Sequence, residues 1–275
     1  MSIVSGTPWT PVVRVVAGWL CVAAAHAGEA PPRTSGKFEG AVGLVLQYKP
    51  AFSGSSDFKW KPALAGFVRY GRFTITGAGG FTTRRQDEVE RGLDAELLRR
   101  EGWRVNLSLR FDPGRRESAS AQLAGMGDIR STVRARLGLR WDIAPRWQAS
   151  ASTSFDALNR VGGYVVSTGL TYTQPIDPRQ RIAYGVSIGG AGDRYLQAWY
   201  GVTSTQSAAS GHPVYAPREG LTETGVGATW RIEIDRQWAA FAGASVSRLL
   251  GGAAASPLTR QRTGWAWSSG IARRF

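Results

Sequence analysis

The chain has 275 residues, with 34 lysines and arginines against 20 aspartates and glutamates, one cysteine and a formal charge of +14. A single cysteine excludes a disulfide framework, and no stretch approaches the about 20 consecutive apolar residues of a spanning helix. Thirty-five glycines, 11 tryptophans and 8 tyrosines suit strands with interfacial aromatics better than helices.

Residues 1–27 read as a secretory signal peptide: Arg14 supplies the positive charge, residues 15–25 are a short apolar run, and Ala25-His26-Ala27 has the form of a cleavage site. Cys21 leaves with it, because the bulky Trp19 and Leu20 before it do not suit a lipoprotein signal. The mature chain then starts near Gly28 with no thiol, and His212 is its one histidine. Arg14 is the only charge lost, so the mature chain stays strongly basic. Export argues against nucleic acid as the partner of that charge; lipopolysaccharide, murein and acidic solutes fit better.

Residues 28–36 (GEAPPRTSG) read as a periplasmic lead-in, and residues 37–275 as one domain without a break. Period-2 alternation, which sends successive side chains to opposite faces of a strand, begins with Phe38, Gly40, Val42, Leu44, Leu46 and Tyr48 against Glu39, Ala41, Gly43, Val45 and Gln47. Further strands are expected over 59–70, 73–81 and 92–99, the last with Asp94 and Glu96 on one face. In the fifth, Trp103, Val105, Leu107, Leu109 and Phe111 oppose Arg104, Asn106, Ser108 and Arg110. The sixth, 129–141, has the clearest pattern: Val133, Ala135, Leu137, Leu139 and Trp141 oppose Arg130, Arg134, Arg136 and Arg140. Strands at 147–156, 164–172, 182–188, 223–234, 238–249 and 264–275 complete about 12, an even number, as a bacterial single-chain barrel requires.

Connection lengths are an independent sign. Links after the second, fourth, sixth, eighth and tenth strands are short, and those after the first, third, fifth, ninth and eleventh are longer; only the seventh, near 159–162, breaks the alternation. Short periplasmic turns and long outer loops have this form. The fold expected is all-β: a transmembrane antiparallel up-and-down β-barrel in the outer membrane of a Gram-negative cell, among lipid and lipopolysaccharide. The terminal Phe275, on an alternating last strand, resembles the signal read by the barrel assembly machinery.

Arg104, Arg110, Arg130, Arg134, Arg136, Arg140 and Arg231 should make a basic lumen wall. Such a wall can serve as an anion-selective path, or pair internally with Asp94, Glu96, Glu223 and Glu233, since buried charges are seldom left alone. The pairing reading is preferred. His212 lies in a serine-rich loop with Ser204, Ser207 and Ser210, where a solvated loop histidine is the plainer reading than a hydrolase pair. No catalytic residue, metal site or cofactor is expected.

Several segments resemble the MltA-interacting protein family, also called the MipA/OmpV family of outer-membrane proteins. They are Tyr48, Gly54 and Asp57 in YKPAFSGSSD; Gly127 and Asp128 in GMGDI; Tyr200-Gly201-Val202-Thr203, followed by Tyr215; Arg248-Leu249, followed by Ser256-Pro257; and Phe275. They occur in order across the mature chain, and the run Ala253-Ala254-Ala255 departs from the more polar segment of the family. The resemblance implies a non-enzymatic barrel that acts as a scaffold for periplasmic murein (peptidoglycan) synthesis and turnover enzymes, bridging a lytic transglycosylase and a murein synthase. Its alternative is a narrow porin-like channel for small anionic solutes. The short periplasmic turns give a scaffold little to grip with, so residues 28–36 are expected to share in partner binding.

Overall fold

A strand that alternates apolar and polar residues can sit in a bilayer only if its backbone is fully paired, because lipid offers no hydrogen bonds. The computed structural model describes residues 38–77 and 92–275. Within them twelve strands form one closed antiparallel sheet. They are β1 (Phe38–Pro50), β2 (Phe58–Tyr70), β3 (Phe73–Thr76), β4 (Gly92–Arg100), β5 (Trp103–Asp112), β6 (Thr132–Ala144), β7 (Trp147–Asp156), β8 (Tyr164–Asp177), β9 (Gln180–Ala191), β10 (Gly220–Glu233), β11 (Trp238–Leu249) and β12 (Thr263–Arg274). Each pairs with its sequence neighbours, and β1 closes on β12 from Ala41↔Arg274 to Tyr48↔Trp267. The signal and lead-in expected at 1–36, and residues 78–91, lie outside the described residues.

Alternation sorts the two faces as the sequence pattern requires. On β5, Leu107 is 41% exposed and Arg104 6%; on β10, Val226 is 56% exposed and Arg231 5%. The exposed apolar face meets lipid, and the arginines point into the lumen. Aromatics gather on the outward face near both rims. At the short-turn end Trp103 stacks on Trp141 (4.8 Å) and Phe38 on Tyr70 (4.7 Å), and Trp147 lies tilted against Tyr172 (4.9 Å). At the loop end Tyr48 lies 5.4 Å from Phe58, 4.7 Å from Trp60 and 5.3 Å from Trp265. Two such girdles match the two membrane interfaces. Inside, the strands at the seam present an apolar wall of Ala41, Val45, Ala65, Phe67 and Ala272 with Phe241 packed on it. It faces the arginine-bearing β5 and β6 across the barrel.

The third strand, expected over 73–81, is described as Phe73–Thr76, and its expected remainder past Gly77 lies outside the described residues. One expected strand needs correction. The sixth starts at Thr132 rather than 129. Ile129 instead pairs with Arg115, amide to carbonyl in both directions (3.1 and 2.8 Å), inside the loop from β5. Gly114 makes this possible at φ 70, because a Cβ there would come within 2.0 Å of the Ile129 carbonyl. Arg130 therefore sits exposed in the loop and does not belong to the lumen wall. The fourth strand, with Asp94 and Glu96 on one face, also carries a bulge between Glu96 and Leu98. The extra residue turns Arg99 onto the face of Glu96, a placement that simple alternation hides.

The face assignment predicts a labelling pattern in a chain whose single cysteine, Cys21, is replaced. Cysteines at 107, 133 and 226 should react with membrane-confined probes, and cysteines at 104, 134 and 231 should not. Reaction at 134 but not 133 would mean a register shifted by one residue, which flips every side chain.

Candidate functional site: the outer cap and the charged lumen

The outer loops carry three helices: α1 (Asp193–Tyr200), α2 (Ser204–Ser210) and α3 (Gly251–Ala254). They pack into a cap with its own apolar cores. Leu196 and Tyr200 of α1 meet Ala253 of α3, together with Ala191 and Leu249 from the strand ends. Met126, Val202 and Leu258 form a second cluster with Tyr215 against it. Backbone atoms that would otherwise be stranded are used to tie loop to loop. Arg115 donates to the Trp199 carbonyl (2.7 Å) with its guanidinium between the Phe52 and Trp199 rings. Gln206 donates to the Met126 carbonyl (2.7 Å), and Tyr215 to the Gly252 carbonyl (2.9 Å).

The family-like residues are mostly the fastenings of this cap. The Gly54 carbonyl accepts from the amides of Arg260 (2.9 Å) and Gln261 (3.1 Å). Asp57 accepts from the Ser120 hydroxyl (2.6 Å), and Asp128 from the Glu117 amide (2.8 Å). Glu117 in turn accepts from the amides of Gly125 (2.6 Å) and Gly127 (3.1 Å). Val202 and Tyr215 exchange backbone hydrogen bonds, and Thr203 caps α2 in a reciprocal capping box with Gln206. The buried Ser256, just before Pro257, donates to the Tyr200 carbonyl (2.6 Å) and accepts from the Leu258 amide (3.2 Å). Gly201 closes α1, its amide bonding back to Gln197 and Leu196. Leu249 is buried in the cap core, while Arg248 stays exposed on the outward face. Tyr48 belongs to the outer girdle, and Phe275 exchanges backbone hydrogen bonds with Gly40 at the opposite end.

α1 also reaches the lumen. The Tyr195 ring lies 5.1 Å from the Arg134 guanidinium. Burial pushes the Tyr195 phenol up, with the charges of Arg134, Asp112 and Glu223 acting on it. Those groups come from β5 and β6 on one side and β10 on another, so the ring sits between walls. Burial pushes Tyr200 up to about 12, with Glu223 adding to the rise, and lowers Arg115 to about 10. At neutral pH both phenols are uncharged and Arg115 is a cation.

Below the cap, Arg110 pairs in register with Arg134, and Arg104 with Arg140. Arg134 donates to the Ser154 carbonyl (3.3 Å), Arg136 to the Ser152 hydroxyl (2.9 Å), and Arg104 lies 3.6 Å from Asp142. The acidic residues are held differently from one another. Asp94 accepts from Asn106 (2.6 Å) within electrostatic reach of Arg140 and Arg69. Glu96 takes a two-pronged contact from Arg99 Nε at 2.8 and 2.9 Å. Glu233 sits with Arg231, Arg181 and Arg274 at the short-turn end. Glu223 makes no ion pair among the described residues. Asp142, Arg181 and Arg274 were missed in sequence, although each has inward parity on its strand. Tyr195 gave no strand signal at all, because it lies on a helix inside a long loop.

His212 holds two loops together: its Nε2 is 3.2 Å from the Gln122 carbonyl. Ser210 caps α2 by donating to the Gln206 carbonyl (2.7 Å) and accepting from the His212 amide (3.2 Å). The short outer link 157–163 is explained by Asp156. Its carboxylate takes the Thr132 hydroxyl and the amides of Leu158 (3.0 Å), Val161 (2.6 Å) and Gly162 (2.9 Å), which folds the loop tightly.

A closed twelve-stranded barrel with an apolar outer face, two aromatic girdles, short turns at one rim and folded loops at the other is an outer-membrane β-barrel protein. The chain belongs to the MltA-interacting protein MipA family, whose pattern matches residues 42–275. No curated protein sequence matches it significantly. Among solved structures it is similar to a NanC porin, with 9% identity over 86% of this chain and 98% of that one and a TM-score of 0.42. It is also similar to a bacterial polysaccharide outer membrane secretin, with 11% identity over 87% and 98% and a TM-score of 0.44. The outer membrane channel DcaP of Acinetobacter baumannii gives 6% identity over 87% and 96% and a TM-score of 0.39. At these values the likeness is one of barrel form alone.

Ser256→Ala should strand a buried carbonyl and amide and weaken the cap by about 1–3 kcal/mol. Hydrogen exchange should then quicken in residues 192–219 and 250–262 while the strands stay protected. Unchanged exchange in both loops would remove Ser256 from this role.

Proposed function

We propose that the chain is a non-enzymatic outer-membrane scaffold that presents its short-turn rim to periplasmic murein enzymes. The observation that carries this reading is the cap. A solute path would have to pass α1 and two packed clusters, whereas a scaffold needs only a fixed barrel and an open inner rim. Delivery would follow removal of residues 1–27 and reading of the last strand, ending at Phe275, by the barrel assembly machinery, with lipopolysaccharide around the outer girdle.

The rim also supplies what the short turns otherwise lack. Four of the five turns, those after β2, β6, β8 and β10, carry an exposed arginine: Arg72, Arg146, Arg179 and Arg236. Between the β8–β9 turn and the end of β10 lies a cavity of about 430 Å³, lined in part by Asp177, Arg179, Ile232 and Glu233. Exposed Glu101, Asp142, Asp177 and Asp235 share the rim with these arginines, and the partly apolar notch sets Arg179 between Asp177 and Glu233, so the rim suits a partner surface of interspersed charge rather than one of a single sign. The buried arginines of β5 and β6 favour a second reading, a narrow path for small anionic solutes, which requires the cap to swing aside.

The test is capture of a lytic transglycosylase and a murein synthase on the purified full-length barrel. Capture should fall at least about tenfold when Arg72, Arg146, Arg179 and Arg236 are all changed to Glu, since like charges across an interface are strongly disfavoured. It should also weaken on deletion of residues 28–36. Absence of capture by the unaltered barrel, or equal capture by the reversed rim, would refute the docking role.

A further inference from the structure

A second arginine group lies at the far end of the lumen from the cap. Arg181 is the second residue of β9, Arg231 lies two residues before the end of β10, and Arg274 ends β12. Arg181 and Arg231 are direct register partners. Like charges placed directly opposite each other on a sheet are unfavourable. All three guanidinium groups converge on one carboxylate oxygen, Glu233 Oε1, at 3.9 Å from Arg181, 4.0 Å from Arg231 and 3.2 Å from Arg274. The inward neighbours Ala239 and Phe241 on β11 and Ala41 on β1 bring no charge; the next acids along the sheet are Glu39, two residues before Ala41, and Asp177, the register partner of Gln180.

Arg231 and Arg274 share Glu233 as their one ion-pair partner among the described residues, which leaves one positive charge of the two over. The donors are unused as well. Nε and both terminal nitrogens of the buried Arg231 have no hydrogen-bond partner among the described residues, nor has Nε of Arg274, whose Nη2 has only the ion contact with Glu233. A buried cation without acceptors is expensive, and Arg231 is one, set beside the half-buried Arg274 at a lumen mouth that can admit an anion. Guanidinium forks match the oxygens of a phosphoryl group in shape and charge. A carboxylate offers two acceptor oxygens; a phosphoryl group offers three and meets more of the unpartnered nitrogens of Arg231 and Arg274. Glu233 is the most exposed member of the group, so the mouth opens toward the periplasmic end.

We propose that Arg231 and Arg274, with Arg181 behind them, form a phosphoryl-binding site at the periplasmic mouth of the lumen, with Glu233 as the competing internal anion. The same chemistry could arrive as free phosphate or as a phosphate monoester on a larger periplasmic molecule. The site is independent of the docking reading, because its titration needs no murein enzyme.

The test is calorimetric titration of the full-length protein, in zwitterionic detergent at low salt, with inorganic phosphate, glycerol phosphate and acetate. Phosphate should bind saturably and at least about tenfold more tightly than acetate. Arg231→Gln should weaken phosphate binding at least about tenfold, while Arg99→Gln, an arginine held by Glu96, should leave it unchanged. Glu233→Gln should tighten it by removing the competitor, and this gain keeps the proposal testable if Arg231→Gln does not fold. Tighter binding of glycerol phosphate than of phosphate would identify a monoester as the ligand, and the reverse order the free ion. No saturable phosphate binding, acetate binding as tightly, equal weakening by Arg99→Gln, or no gain from Glu233→Gln would each overturn the site.

Discussion

Everything in this molecule depends on the pairing of β1 with β12. A sheet edge in hydrocarbon would leave a row of amides and carbonyls unpaired, at several kcal/mol apiece. The seam removes that edge through eight register pairs, Ala41↔Arg274 to Tyr48↔Trp267, and continues to the last residue, where Phe275 and Gly40 bond in both directions at 3.0 and 3.2 Å. Gly40 is suited to this place because a Cβ would come within 2.5 Å of the Phe275 ring. Once the seam is set, the period-2 side-chain pattern leaves no freedom. Leu44, Leu107 and Val226 must meet lipid, and Val45, Arg104 and Arg231 must meet the lumen.

A closed tube puts no limit on what happens at its two ends, and here the ends diverge. At one, turns as short as Gly71-Arg72 and Pro178-Arg179 leave a low rim whose exposed charges are arginines interspersed with acids such as Asp142, Asp177 and Asp235. At the other, the loops fold into a layer with its own apolar core, because segments as long as 192–219 carry enough leucine, tyrosine and tryptophan to bury one another. The lumen between is polar on β5 and β6 and apolar near the seam. Charge thus concentrates at two levels, beneath α1 around Arg134 and at the inner mouth around Arg231.

The barrel was legible in the sequence because strands report themselves twice, once in alternation and once in the lengths of their connections. The face of Arg134 against Val133, or Arg231 against Trp230, needs no more than parity. The charge partners were less legible. Asp142, Arg181 and Arg274 share inward parity with the arginines already singled out, yet pairing depends on which strands are neighbours and at what register, and parity does not carry that. The Glu96–Arg99 contact depends on a bulge that inserts one residue, so strict alternation places Arg99 wrongly. Arg130 failed for the opposite reason: the apolar-basic pattern continues past the strand into a loop that folds back at Gly114. The helix at 193–200 is hard to see in sequence because DRYLQAWY spans only eight residues, little more than two turns, inside a long loop. The motif residues Gly54, Asp57, Asp128 and Ser256 were recognised by resemblance, and only their contacts give the physical reason, which is that they fasten loops to one another.

The central claim is that the cap closes the barrel against solutes, which leaves the inner rim as its working surface. Planar-bilayer conductance of the purified protein tests this most directly. The account predicts no steady current from the unaltered barrel, and a current that appears when α1 is loosened by Tyr195→Ala. A steady anion-selective current through the unaltered barrel, lost on Arg134→Ala with Arg136→Ala, would contradict it.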